Sequence, residues 1–260
     1  MLELVRDTYR YRELIWALAL KELKIRYKRS VLGFLWALLN PMLLMLVLTA
    51  VFSTVMPIKI PQGHYAIFLL SVLLPYTFFS QSLTYAVESI VGNGDLIKKV
   101  SVAKLVFPVA AVVSNMINFL LSLIPLALIV LAMRHPFHWT WIYLPIPLLA
   151  LTIFTLGATF LFAVANVYYR DVAHILQILL QILFYLTPII YSLEQFPARY
   201  RWIFKLNPLI YFMNGFRLSV YYGLLPAAQS ILASFVCAFI ALIFGFWIFR
   251  KHQEEFVFYV

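Results

Sequence analysis

Charge is scarce in this 260-residue sequence: 12% of the residues are Asp, Glu, Lys or Arg, against roughly 25% in a soluble domain. The chain lacks the polar residues needed to cover a water-facing surface, which excludes a soluble globular protein. Cysteine is nearly absent. Cys237 stands alone inside an apolar run, so there is no disulfide framework. No G-x-x-x-x-G-K-[ST] pattern occurs, so the chain has no such loop for nucleotide phosphates. Gly92-Asn93-Gly94 has no Lys-Ser/Thr after it and no strand before it. No nucleophile–His–acid set is visible. His135 and His138 have H-x-x-H spacing, but without Cys or carboxylate nearby they make a poor metal site. Residues 1–13 are charged and lack the apolar segment of a cleavable signal. No inverted repeat is evident.

What is abundant is apolar sequence, 64% of the chain. The runs are continuous rather than alternating, so they read as helices and not as barrel strands. Val31–Met56 contains no charged side chain and is longer than the roughly 20 residues that cross a bilayer. Further spans are expected at about 65–87, 106–133, 141–167, 172–191 and 231–249. The expected fold class is therefore all-α: a polytopic membrane protein of six transmembrane helices. None of these spans has Asp, Glu, Lys or Arg in its apolar middle. That argues against a proton- or sodium-driven carrier, which places an ionisable group at mid-membrane depth. Pro41, inside the first span, reads as a packing kink.

The net charge of +10 is distributed unevenly. Arg26, Lys28 and Arg29 run straight into the first span, which places the N-terminus in the cytoplasm. With six crossings both termini are cytoplasmic. The expected cytoplasmic segments then carry 14 Lys/Arg and the external ones 6. This distribution describes a membrane collar and no nucleic-acid partner.

Residues 1–30 are expected to form a cytoplasmic N-terminus with an amphipathic interface helix, and 31–260 a single transmembrane domain. In the helix, Trp16, Leu20, Leu23 and Tyr27 make an apolar stripe beside Lys21, Lys24 and Lys28, as in helices that lie in the membrane interface. The alternative is a cytosolic helix packed on a partner. In the loop 88–108, Asp95 is expected to cap a short basic helix carrying Lys98 and Lys99. This segment, with Gly92 and Asn93, reads equally as a place where a soluble engine pushes or as a solvated connector. Arg170 and Asp171 form a second short cytoplasmic turn, where they pair, cap the next helix or meet a partner.

Residues 192–228 hold two pieces too short or too charged to span, about 200–206 and 209–222, broken at Asn207-Pro208. They read as external re-entrant or interfacial helices, about 196–222. Arg199, Arg201, Lys205 and Arg217 lie here. They would suit an anionic headgroup or sugar-phosphate, or anchor the interface by snorkelling. Aromatics make up 17% of the chain. Tyr76, Phe79 and Tyr85 are candidates to line a glycan path, although most aromatics will be core or lipid-facing.

Three stretches, 20–53, 168–191 and 205–217, resemble the permease subunits of type-2 ABC polysaccharide exporters for O-antigen, teichoic acid and capsule. The likeness covers most of the chain in order. It implies a transport subunit rather than an enzyme, in the cell's inner membrane, working as a homodimer. ATP and magnesium would be bound by two copies of a separate nucleotide-binding subunit, with no cofactor in this chain. The Gly92–Lys99 loop would match the family's coupling segment. The cargo would be a polyprenyl-linked polysaccharide taken from among the membrane lipids. An ABC permease for a small hydrophobic molecule, or a membrane-embedded glycosyl- or acyltransferase, are the competing readings.

Overall fold

The computed structural model describes residues 2–26, 28, 30, 32–55, 63–100, 102–195 and 197–260. Among these the chain is helical throughout and contains no strand. Four helices are long and apolar enough to cross a membrane. They are α4 (Tyr65–Glu88), α6 (Val106–Ala132), α7 (Pro145–Tyr168, preceded by a 3-10 segment from Trp139) and α11 (Ala228–His252). The first and fifth expected spans are shorter: α3 (Trp36–Ala50, continued by a π turn to Val55) and α8 (Val172–Leu186). At 1.5 Å per residue α8 is about 22 Å long, less than the roughly 30 Å hydrocarbon core.

Shorter helices cluster at the two ends. At one end, here the basic end, lie α1 (Leu2–Arg10), α2 (Arg12–Arg26), α5 (Gly94–Lys99) and α12 (Phe256–Tyr259). At the opposite end lie α9 (Arg201–Lys205) and α10 (Leu209–Arg217), the latter extended by a π turn, Leu218–Tyr222.

α4 is the axis of the bundle. Residues 65–76 are buried without a break, and 83% of its most apolar window is buried, against 28–44% in the other three long helices. A helix apolar on every side must be surrounded, and α4 packs against α3, α6, α7, α8 and α10. Its hydroxyls mostly bond to their own helix: Thr77 to the Leu73 carbonyl, Ser80 to Thr77 and Thr84 to Ser80. Two other bonds tie α4 to its neighbours. The Tyr76 hydroxyl donates to the Leu180 carbonyl of α8, and Asn166 of α7 donates to the Val87 carbonyl at 3.0 Å.

The closest helix pair is α7 with α11. Their backbones touch because two glycines face each other. A Cβ on Gly157 would collide with the backbone of Ala241 and Leu242, and one on Gly245 with the Gly157 carbonyl. Small residues at a crossing permit this approach, and dispersion does the rest. Phe160 fills the space below, 5.9 Å from the Phe246 ring and 5.1 Å from that of Phe249.

The crossing generates a prediction. Gly157→Ala and Gly245→Ala force backbones apart, and overpacking of this kind destabilises by about 1–3 kcal/mol. The melting midpoint of the detergent-solubilised chain should fall by several degrees in either variant. Gly92→Ala, where an added Cβ meets nothing within 4 Å, should leave it unchanged. Equal midpoints for all three would contradict the crossing described here.

Candidate functional site

The basic end is built on α2. This helix packs along α6, and of the expected stripe Leu23 lies on the packed side. Ile15, Leu18, Ala19 and Leu23 are buried, while Trp16 is half exposed and Leu20 only partly covered. The side that meets α6 is the one whose residues also reach Phe107 and Ala110, and Trp16 is left to face outward. Lys21, Lys24 and Lys28 are exposed. Tyr27 lies outside the described residues.

The last residue of α2, Arg26, turns inward. Its Nη1 donates to Asn115 Oδ1 at 3.0 Å, and its guanidinium lies 3.7 Å from the centroid of the Tyr85 ring. Asn115 in turn donates to the Ala111 carbonyl at 2.8 Å. Beyond Arg26 a cavity of about 230 Å³ opens between α3, α4 and α6, lined by Asn40, Thr77, Gln81, Tyr85, Asn118 and Ser122 among others. Pro41 borders it too. Arg26 was legible only as one of a basic cluster, and Asn40 and Gln81 as isolated amides within apolar runs. Helix spacing places Gln81 and Tyr85 one turn apart on α4, a signal that was available and unused.

One turn before Arg26, Glu22 is mostly buried, and its Oε2 finds no hydrogen-bond partner among the described residues. It lines a smaller cavity with Lys21, Gly92 and Asn93. Burial pushes its carboxyl up to about 7, with the Arg26 and Lys21 charges only partly opposing.

The predicted coupling residues come together through the C-terminus, which sequence reasoning missed. Asn93, not Asp95, precedes α5. Asp95 lies in its first turn without a capping bond, and the Asn93 amide donates back to the Ser89 carbonyl at 2.8 Å. Gly94 is buried under Val260. Arg170 Nη2 donates to the Tyr259 carbonyl at 2.9 Å, the Tyr168 hydroxyl to the Glu255 carboxylate, and Lys104 Nζ to the Gln253 carbonyl. The tail thus straps α5 to the end of α7. Asp171 is exposed at the head of α8, makes no capping bond, and does not pair with Arg170. Gly92, Lys98 and Lys99 are exposed beside it.

At the opposite end the predicted cations separate. Arg199 and Arg201 are exposed: Arg199 lies over the Tyr200 ring at 4.6 Å, and Arg201 donates to the Glu194 carbonyl at 3.0 Å. The side chain of Lys205 lies outside what is described. Arg217 is internal, 7% exposed, which corrects its reading as a surface cation. It donates to the carbonyls of Pro188 (2.6 Å) and Ile189 (2.9 Å), and its guanidinium lies 3.8 Å from the Phe68 ring centroid. Of the path candidates, Tyr85 borders the cavity beside Arg26, and Arg217 lines another of about 420 Å³ with Pro188, Asn214 and Tyr222. Tyr76 and Phe79 are core side chains, packed on Phe184 at 5.5 Å and Phe154 at 5.8 Å.

These pieces form a helical bundle with the basic helix α2 packed on α6 at one end and a loop strapped by the C-terminal tail at the same end. Residues 13–221 match the ABC-2 type transporter family, from α2 to the π turn after α10. The chain belongs to that family. Among curated proteins, this ABC-2 family member is 38% identical over 260 residues to an O-antigen export system permease protein, RfbA, of Myxococcus xanthus, covering 98% of each chain. It is 33% identical to the RfbA permease of Klebsiella pneumoniae, with 91% of this chain and 90% of that one covered. A polysialic acid transport protein of Escherichia coli, KpsM, is 27% identical, with 92% and 93% covered. The family match agrees with the resemblance read from the sequence.

Two outcomes test this geometry. Arg217→Met leaves two backbone carbonyls without donors, and an unsatisfied buried group costs about 1–3 kcal/mol. The melting midpoint should fall well below that of the wild type, whereas Arg199→Met should not move it. For Glu22 the sign is as follows. Its folded value lies above the ordinary 4.5, so stability is greatest below pH 4.5 and declines as pH rises toward 7. Glu22→Gln should abolish that decline and exceed the wild type at pH 8 by on the order of 2 kcal/mol. Melting both proteins at pH 5 and pH 8 checks this; parallel curves would contradict a buried carboxyl.

Proposed function

We propose that this chain is the transmembrane subunit of an ATP-driven exporter, moving a lipid-linked polysaccharide of O-antigen type from the cytoplasmic to the external side of the inner membrane. Two copies form the path, two copies of a separate ATPase drive it, and both termini are cytoplasmic. α3 and α8 act as the first and fifth of six crossings, and α9 and α10 as external re-entrant helices. The names of the RfbA and KpsM relatives support the class of cargo. The positive-inside count supports the orientation.

The observation that carries the reading is on α8. His174, Gln177, Gln181 and Tyr185 are all exposed and fall at spacings of 3, 4 and 4, so they share one face. Exposed amides are unfavourable against hydrocarbon. They are at home against a wet path or a second copy of the chain. Ile175, Ile178 and Ile182 flank the stripe, which gives α8 the mixed surface expected where a pore wall meets a subunit contact. A polymer-wide path enclosed by an isologous pair needs such a stripe once per copy. A small hydrophobic cargo needs no polar stripe.

In the mechanism, closure of the ATPase pair presses on the exposed residues of α5 and on the Arg170–Asp171 turn. The C-terminal strap joins these two points, so the load is shared between α5 and α7. The α8 faces of the two copies then part, and the glycan passes between them.

Reconstituted vesicles test this with one assay. Export of a polyprenyl-linked glycan should require the ATPase and ATP. Gln177→Leu with Gln181→Leu should cut export at least about tenfold, the effect of losing roughly 1.4 kcal/mol at the path, with an unchanged melting midpoint. Export independent of ATP, or indifferent to the double substitution, would overturn the reading.

A further inference from the structure

We infer that the cavity between α2, α3, α4 and α6 is a binding site for the phosphate-bearing headgroup of a lipid, with Arg26 as its anion-binding side chain. A guanidinium is charged at every accessible pH, and a charge withdrawn from water is retained only when it is paired. Arg26 is incompletely paired. Asn115 accepts from Nη1, and the Tyr85 ring lies against the guanidinium plane, but Nε and Nη2 have no hydrogen-bond partner among the described residues. The nearest acid in sequence, Glu22, is one helical turn away and makes no ion pair with it; among the described residues the sole ion pair is Arg6 with Asp7. The cavity wall therefore carries a fixed positive charge that is incompletely paired, with no anion beside it among the described residues.

The walls suit the same ligand. Gln81 and Asn118 line it with side-chain amides whose NH2 groups can donate, while the Thr77 and Ser122 hydroxyls are spent on the Leu73 and Phe119 carbonyls. At about 230 Å³ the space holds several groups of water size, each taking about 30 Å³. That accommodates a phosphate or diphosphate but not a sugar chain. The same two helices, α3 and α6, also bound an apolar groove of about 380 Å³ lined by Leu38, Leu39, Met42, Ile124, Pro125 and Leu128. A polar cavity with an unsatisfied cation and an apolar groove on one helix pair match the two halves of a phosphorylated lipid. Guanidinium to phosphate is the stronger, charge-assisted kind of hydrogen bond.

Two sources share this chemistry: a polyprenyl diphosphate, as the proposed cargo would carry, and an ordinary anionic phospholipid. The site itself does not depend on the export reading; only the choice between sources does. The test uses the full chain in phosphatidylcholine nanodiscs doped with undecaprenyl diphosphate, undecaprenol or phosphatidylglycerol, with retained lipid counted by native mass spectrometry after detergent exchange. The wild type should retain the diphosphate about tenfold or more over undecaprenol, the equivalent of one charge-assisted hydrogen bond. Arg26→Gln should erase the preference, Arg26→Lys keep part of it, and inorganic pyrophosphate compete with it. Asn118→Leu, on the far wall, should reduce retention severalfold, and decides the matter if Arg26→Gln does not fold. Equal retention of undecaprenol, or retention by Arg26→Gln at the wild-type level, would overturn the site. Arg26-dependent retention of phosphatidylglycerol as strong as that of the diphosphate would uphold it and name bulk anionic lipid as the occupant. Loss of ATP-dependent export with retention intact would count against the export reading and leave the site standing.

Discussion

Backbone carbonyls cannot be left dry, and this requirement governs the opposite end of the molecule. α8 stops at Leu186; the Thr187 amide makes a last helical bond, to the Leu183 carbonyl at 2.9 Å, and residues 188–191 leave the helix. Side chains take over. Asn207 reaches the Leu186 carbonyl, the two Nη atoms of Arg217 take Pro188 and Ile189, and the Tyr65 hydroxyl takes Ile190. Irregular backbone is tolerated at membrane depth only where protein supplies such partners. The same bonds seat α10. Asn207 also accepts from the Leu209 amide at the start of α10 and donates to Thr187 Oγ1 at 2.9 Å. Arg217, at the end of α10, holds the other side. With both ends anchored, Phe212 can insert against Phe154 of α7 at 5.1 Å and Phe216 against Phe119 of α6 at 6.0 Å.

The bundle has two apolar cores. One surrounds α4 and takes in α8 and α10. The other lies at the basic end, where α1, α2 and α12 meet the nearby parts of α6, α7 and α11. The functional elements lie where these cores leave something uncovered. Arg26 enters at the rim of the second core, and α8 turns its polar stripe away from the first. The C-terminal tail covers Gly94 and bonds to Arg170, so it joins two segments distant in sequence. Stiff packing between α7 and α11 supplies the frame against which either can move.

Legibility varied with the physics involved. Apolar runs announce burial in lipid by length and composition alone, so the helical class and the four long helices were plain in the sequence. The break at Asn207-Pro208 was also plain, because proline and an Asx residue terminate a helix locally. Facing was not. In α2 apolar residues occur on most sides of the helix, so Trp16, Leu20 and Leu23 made as good a stripe as Ile15, Leu18 and Leu23; packing on α6 buries the second set. Asp95 looked like a cap because its type fits, yet the 3-10 turn before it starts the helix two residues earlier than a cap there would, at Gly94.

The sequence by itself determined what is set residue by residue: membrane affinity, helix content, the basic bias of one end and the family pattern. Tertiary structure alone decided which polar groups are spent and which are left over. Arg217 and Arg26 read alike as cations beside apolar sequence. Arg217 gives both Nη atoms to backbone carbonyls and leaves Nε unpartnered among the described residues; Arg26 gives one Nη to Asn115 and leaves Nε and the other Nη. That difference depends on where unrelated helices place their acceptors, and no local pattern encodes it.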